Sequence, residues 1–274
     1  MNPVIAFLVL PLYAQRHGGA VREVQTGPAL GFVAQLALLT ALAGTVGVGG
    51  PGWVVGLACG LFTNGLLARG LVRSGSARLG PADQVTLARS TLAGGVAAIT
   101  ADAFSEVARV TVLSALSALS VLAVVALVLD AVDGWVARRT GTASALGARF
   151  DMEADAFLIL VLSVYVARSA GVWVLAIGAA RYAFVAAGWL LPWLRGPLPP
   201  RYWRKVVAAT QGVVLTAAAA QVLPAPLTGA ALVASLALLA ESFGRDVWWL
   251  WCHGQVEAGR IVLAGEPGLT DCRS

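Results

Sequence analysis

Apolar runs of near-bilayer length recur from end to end of the chain, separated by short polar or turn-forming stretches. A transmembrane helix needs about 20 predominantly apolar residues to cross a hydrocarbon layer of ~30 Å. On that measure the pattern predicts spans at 29–48, 53–70, 85–101, 110–136, 154–168, 171–192, 206–223 and 227–243. Turn signals fall between several of them: GVGGPG at 47–52, Gly171 after Arg168, the Gly196 to Pro200 segment, and Pro224 with Pro226. The first 15 residues hold an apolar run too short to span, with neither the basic leader nor the cleavage site of a signal peptide. That run is expected at the interface or against the bundle. No internal repeat or low-complexity linker interrupts the pattern, so a single membrane domain is expected.

Composition strengthens this reading. The 274 residues are 58% hydrophobic and 12% charged, against about 25% charged in an ordinary soluble domain. The net charge of +5 suits cytoplasmic loops and anionic headgroups, and no nucleic-acid partner is needed to explain it. Eighteen of the 19 basic residues are Arg; this bias, with the abundance of Ala, Leu, Val and Gly, is associated with GC-rich bacterial genomes. Cys59, Cys252 and Cys272 form no CxxC pair, so neither a disulfide framework nor a zinc site is expected. The segment 245–254, RDVWWLWCHG, reads as an aromatic interfacial anchor after the last span.

The basic residues also set the topology. With the N-terminus inside and eight alternating spans, 16 of the 19 fall on the cytoplasmic side; Arg109 and Arg168 fall outside and Arg181 within a span. Cytoplasmic loops carry the excess of basic residues, so this orientation is expected. It places 130-DAVDGWVARRTGTASALGARFDMEAD-155 at the cytoplasmic face of the membrane.

That stretch carries the chemistry. Asp130 and Asp133 are three residues apart and share a helix face, as do Asp151 and Asp155, four apart on the following helix. A helical hairpin brings the two pairs together. Four carboxylates cannot all stay ionised in a low-dielectric site without a counter-charge. One or two divalent cations supply it, and all-oxygen ligation favours Mg²⁺ or Mn²⁺. Gly134, Ala137 and Gly147 leave room for a flat base or a pyrophosphate to approach the backbone, and Arg138 offers a planar fork to phosphate oxygens. Phosphoryl-type transfer from a nucleotide is the expected chemistry.

The residues Asp130, Asp133, Gly134, Ala137, Arg138, Gly147, Asp151 and Asp155 stand in the spacing D-x2-D-G-x2-A-R-x8-G-x3-D-x3-D. This closely resembles the signature of the CDP-alcohol phosphotransferases, the integral-membrane enzymes of phospholipid head-group synthesis. The lead-in 83-DQVTLAR-89 is similar to the family's N-x2-T-x2-R through Thr86 and Arg89, with Asp83 in place of the usual Asn. The segment 204-RKVVAATQ-211 resembles the start of the family's fifth core span through Lys205 and Gln211.

The resemblance implies an all-α membrane protein with a six-helix core over 80–245; outside it, the span pattern predicts two additional N-terminal transmembrane helices within 1–79 and a cytoplasmic tail over 246–274. It implies two divalent ions on Asp130, Asp133 and Asp151, with Asp155 as a further ligand or as general base. Gly134, Ala137, Arg138 and Gly147 are expected against the CDP moiety. Arg89, Arg181, Arg204 and Lys205 are candidates for an acceptor phosphate, with pairing to the site aspartates as the other reading of Arg89 and Arg181. The expected donor is a CDP-diacylglycerol-type lipid and the acceptor a small polar alcohol, such as glycerol phosphate or inositol phosphate. A homodimer in the plasma membrane, probed by substrates from the cytoplasm, is implied as well. Two other classes fit these residues less well. A cation-coupled transporter places its carboxylates near the midplane on broken, repeated helices, and here they crowd one end. A prenyl-diphosphate enzyme lacks the G-x2-A-R and G-x3-D-x3-D elements.

Overall fold

A computed structural model describes residues 26–74, 81–105, 117–129, 132, 145–196, 198–199 and 201–264. Among them the regular structure is helical, without strands: α1 (Thr26–Thr45), α2 (Gly50–Ser74), α3 (Pro81–Ala103), α4 (Ser117–Leu129), α5 (Ala145–Ala170), α6 (Leu175–Leu190), α7 (Tyr202–Ala219) and α8 (Ala225–Ala264). Short 3-10 turns at Val172–Val174 and Pro192–Arg195 lead into and out of α6.

Local chemistry sets the helix ends. After α1 the chain turns at Gly47, whose φ of 81° lies in the left-handed region and whose N–H reaches back 3.0 Å to the Leu42 carbonyl. Pro81 opens α3 where a missing N–H has no cost, and Asp83 in the first turn faces the positive end of the helix dipole.

Four segments are long and apolar enough to cross a bilayer: Gly27–Thr45, Gly50–Val72, Val172–Leu190 and Ala225–Cys252. The other expected spans fall on α3, α4, α5 and α7. Of these, α3, α5 and α7 have 23, 26 and 18 residues, but they carry the polar and charged groups described below. Those helices exchange apolarity for chemistry, which is why hydropathy separates them from the rest. The segment expected to begin a tail at 246 continues α8 without a break to Ala264.

The helices α3 and α5 form the centre: α3 packs on α1, α2 and α5, and α5 packs on α3, α6 and α7. The main apolar core joins Leu39 of α1, Val96 and Ile99 of α3, Leu119 of α4, Leu158 and Leu162 of α5, Leu215 of α7 and Leu232 of α8. A second, separate cluster joins Leu67 and Leu71 of α2, Leu87 of α3 and Phe150 of α5. Hydroxyls within the helices bond their own backbone, as Ser90 does to the Thr86 carbonyl and Thr100 to that of Val96, both at 2.8 Å. Such bonds give these hydroxyls a partner without recourse to lipid.

The leading helices are keyed to α3 by polar groups. Gln35 of α1 is buried where a Cβ on Gly94 of α3 would lie 2.8 Å from its Oε1, and one on Gly60 of α2 would lie 2.8 Å from its Cγ. Small residues that let helix backbones approach are the usual means of packing in a bilayer. At the far end of α3, the buried carboxylate of Asp102 accepts hydrogen bonds from the N–H groups of Gly49 and Gly52, the latter at 3.0 Å, at the start of α2.

Candidate active site

Asp151 and Asp155 stand four positions apart on α5, and both side chains meet one group from α3. That group is Arg89, whose side chain is 1% exposed while each carboxylate is 36% exposed. Its guanidinium bonds the Asp151 carboxylate, donates to the Asp151 carbonyl oxygen at 3.1 Å, and lies 3.2 Å from Asp155 Oδ1. The contrast in exposure assigns the roles. A guanidinium so deeply buried needs charged and hydrogen-bonding partners, because an unpaired buried charge costs several kcal/mol. The carboxylates keep a third of their surface open, so further ligands can reach them.

Local sequence explains the arrangement. Thr86 and Arg89, three residues apart, sit on one buried face of α3, where both are almost fully enclosed. Gly147 lies one turn before Asp151 on α5 and is half-buried. Asp130, Asp133, Gly134, Ala137 and Arg138 lie outside the described residues. Among the described residues no group of three His, Cys, Asp or Glu side chains is placed to hold a metal; two of the four expected ligands fall outside that set. The two carboxylates that are described fit a hard divalent ion by chemistry: oxygen donors only, one helical turn apart, partly open.

The other expected cations lie elsewhere. Arg181 of α6 bonds Glu153 and places Nη1 3.5 Å from the Met152 sulfur. Glu153 falls two residues from each aspartate, close to the opposite side of α5, so Arg181 is engaged away from the Arg89 pair. Arg204 of α7 has its Nε 3.1 Å from Asp246 Oδ2 of α8 and bonds the Pro199 carbonyl. Lys205 is exposed. Gln211 is buried and exchanges hydrogen bonds with Ser235, donating to its carbonyl at 2.9 Å and accepting from its hydroxyl. That exchange fastens α7 to α8. A cleft of about 440 Å³ lined by Arg201, Gly244, Arg245, Trp248, Trp249 and Cys252 contains none of Arg89, Asp151 and Asp155.

Sequence reasoning missed three acidic residues. Glu153 stood inside the motif string but off its spacing. Asp246 stood in an aromatic stretch read as an anchor, although an acid among tryptophans is itself a sign of a buried partner. Asp102 ended an apolar run and drew no notice. Each is explained only by a helix distant in sequence.

A family model described as CDP-alcohol phosphatidyltransferase matches residues 81–241. The chain belongs to the CDP-alcohol phosphatidyltransferase family. This is a transferase family for phosphate-containing groups. Family membership and the four long apolar helices make the transferase a multi-pass membrane protein. The match begins with Pro81, the first residue of α3, and ends within α8, so α1 and α2 lie outside it. No curated protein and no solved structure matches the chain at a significant level. Within the transferase, the Arg89–Asp151–Asp155 group therefore joins the first and third helices of the matched region.

Proposed function

We propose that the protein transfers a phosphatidyl-type group from a CDP-alcohol, CDP-diacylglycerol in the first instance, to the hydroxyl of a polar alcohol and releases CMP. The reaction takes place at the cytoplasmic face of a bacterial plasma membrane, in phospholipid synthesis. The observation that carries this reading is the partly open carboxylate pair Asp151 and Asp155, held from α3 by buried Arg89 within the complete aspartate motif.

In this reading Asp130, Asp133 and Asp151 hold two Mg²⁺ or Mn²⁺ ions, with Asp155 as a further ligand or as the base. Such ions, when bound, neutralise charge on the pyrophosphate and on the attacking and leaving oxygens. Gly134, Ala137, Arg138 and Gly147 seat the CDP moiety. The acceptor oxygen forms a bond to the β-phosphorus as the bond from that phosphorus to the CMP oxygen breaks. The acceptor's proton passes to a carboxylate, for which Asp155 is the choice because it lies farther along α5 from the paired ligands. Arg89 holds both α5 carboxylates in place. Lys205, exposed at the start of α7, is available to an acceptor phosphate; Arg181 and Arg204 have to leave Glu153 and Asp246 to join it.

The test is a donor-by-acceptor panel on purified protein with CMP release as the readout. CMP is expected from CDP-diacylglycerol only with Mg²⁺ or Mn²⁺ and a suitable alcohol, glycerol phosphate and inositol phosphate among them. Asp151→Asn is expected to abolish release while the protein stays folded by thermal melt. Full activity in that variant would remove Asp151 from the metal-ligand role, and no consumption of any CDP-alcohol with any acceptor would end the reading.

A further inference from the structure

We infer that the α1–α2 hairpin, which lies outside the matched family region, is a positioning element of the active site and acts on it through Leu67 and Leu71. The inference deepens the proposed transferase reading, and its binding arm rests on that reading.

The residues that support it form the second apolar cluster. Leu67, Leu71, Leu87 and Phe150 are 2%, 3%, 9% and 9% exposed. Leu87 stands two residues before Arg89 on α3, and Phe150 stands immediately before Asp151 on α5. Leu67 and Leu71 are one turn apart on α2 and share a face. A single face of α2 therefore touches both helices at the level where their side chains meet in the ion pair. Among the described residues the main core does not reach this cluster, and none of its members replaces the α2 contact.

The hairpin is also fixed along α3. Gln35 is seated against Gly94 near mid-helix, and Asp102 holds the start of α2 at the other end. From Leu87 to Asp102 is about 22 Å of helix at 1.5 Å per residue. An appendage packed on the bundle through lipid-like surface needs none of these keyed contacts. A paired guanidinium and carboxylates must be held within about 0.5 Å to function as a site, and their backbones supply that precision. Truncating Leu67 and Leu71 leaves a cavity beside the pair into which α3 and α5 can relax.

The experiment uses the full chain in detergent micelles: Leu67→Ala with Leu71→Ala, the conservative Leu71→Met, and Arg89→Gln. First, arginine modification by phenylglyoxal is followed residue by residue by mass spectrometry. Arg89 is expected to react about tenfold faster in the double alanine variant, and within about twofold of the native rate in Leu71→Met, with Arg204 unchanged in both. Second, CDP-diacylglycerol binding with Mg²⁺ is measured by calorimetry. The double alanine variant is expected to bind about tenfold more weakly, and the same substitutions are expected to change binding less than about twofold in the Arg89→Gln background.

An unchanged Arg89 rate, or one that rises together with that of Arg204, overturns the inference, because the loosening is then absent or global. Equal weakening in the native and Arg89→Gln backgrounds overturns the route through Arg89. If the native protein binds no CDP-diacylglycerol while Arg89 alone is unmasked, the donor assignment fails and the positioning role stands.

Discussion

Asp102 offers a quantitative test of how the leading helices are held. Its carboxylate is 3% exposed and accepts from two backbone N–H groups, on Gly49 and Gly52. The two donors differ in what they do once the carboxylate is gone. Gly49 is exposed and can turn to water, whereas Gly52 is buried and cannot. Hydrogen bonds to a charged group contribute about 1.5–3 kcal/mol net, and a stranded buried donor costs about 1–3 kcal/mol. Loss of the carboxylate also relieves the cost of burying it, which offsets part of this. Asp102→Ala should therefore destabilise the protein by about 2–3 kcal/mol, and Asp102→Asn, which keeps one acceptor oxygen, by about 1 kcal/mol. Thermal unfolding in detergent, followed with a thiol-reactive dye that reports half-buried Cys59 of α2, should show a fall in Tm of roughly 5–10 °C for the alanine variant. An asparagine variant as unstable as the alanine one, or an alanine variant that melts with the native protein, would refute the clamp.

Three further outcomes follow from the same contacts. Gly178→Leu forces α5 and α6 apart, since even a Cβ there would lie 2.6 Å from the Leu160 Cα; a loss of about 1–3 kcal/mol is expected in thermal melts. Gln211→Leu leaves the Ser235 hydroxyl without its acceptor and should cost about 1–3 kcal/mol, whereas adding Ser235→Ala should recover much of that; additive losses would contradict the exchange of bonds. Arg181→Ala removes an ion pair whose partners are 31% and 48% exposed, so its effect on stability should stay below about 1 kcal/mol. In that variant an unchanged KM for a phosphorylated acceptor is expected, and a large rise would show that Arg181 leaves Glu153 to bind it.

The parts of the site set by spacing along one helix were readable from the sequence. Asp151 and Asp155 at four residues, and Arg89 at three from Thr86, define faces that the helices then present. The long apolar helices were readable for the same reason: length and hydropathy are local quantities. The partners of the basic residues were not. Whether Arg181 meets an aspartate or Glu153 depends on the rotation of α6 about its axis relative to α5, and no periodicity encodes that. The same holds for Asp102 reaching the start of α2, and for Leu67 and Leu71 meeting Phe150. In the sequence each is an ordinary residue of an ordinary helix. Arg204 shows the point most plainly, since its partner Asp246 lies on another helix, 42 positions away.

The placement of Gln35 bears on how the chain is assembled during synthesis. When α1 and α2 have entered the bilayer, Gln35 can already lie over Gly60, but its amide end faces the place that Gly94 will occupy. Until α3 arrives, that side of the hairpin lies open to acyl chains, and the close approach of Gly94 is what encloses it. The first three helices therefore settle as one unit before the later helices are made. Ribosome-bound chains halted after residue 74 should remain extractable or loosely held, and those halted after residue 105 should become protease-resistant. Equal resistance at both lengths would mean that the hairpin is complete by itself. The part of the chain that is made first then includes two helices outside the matched family region.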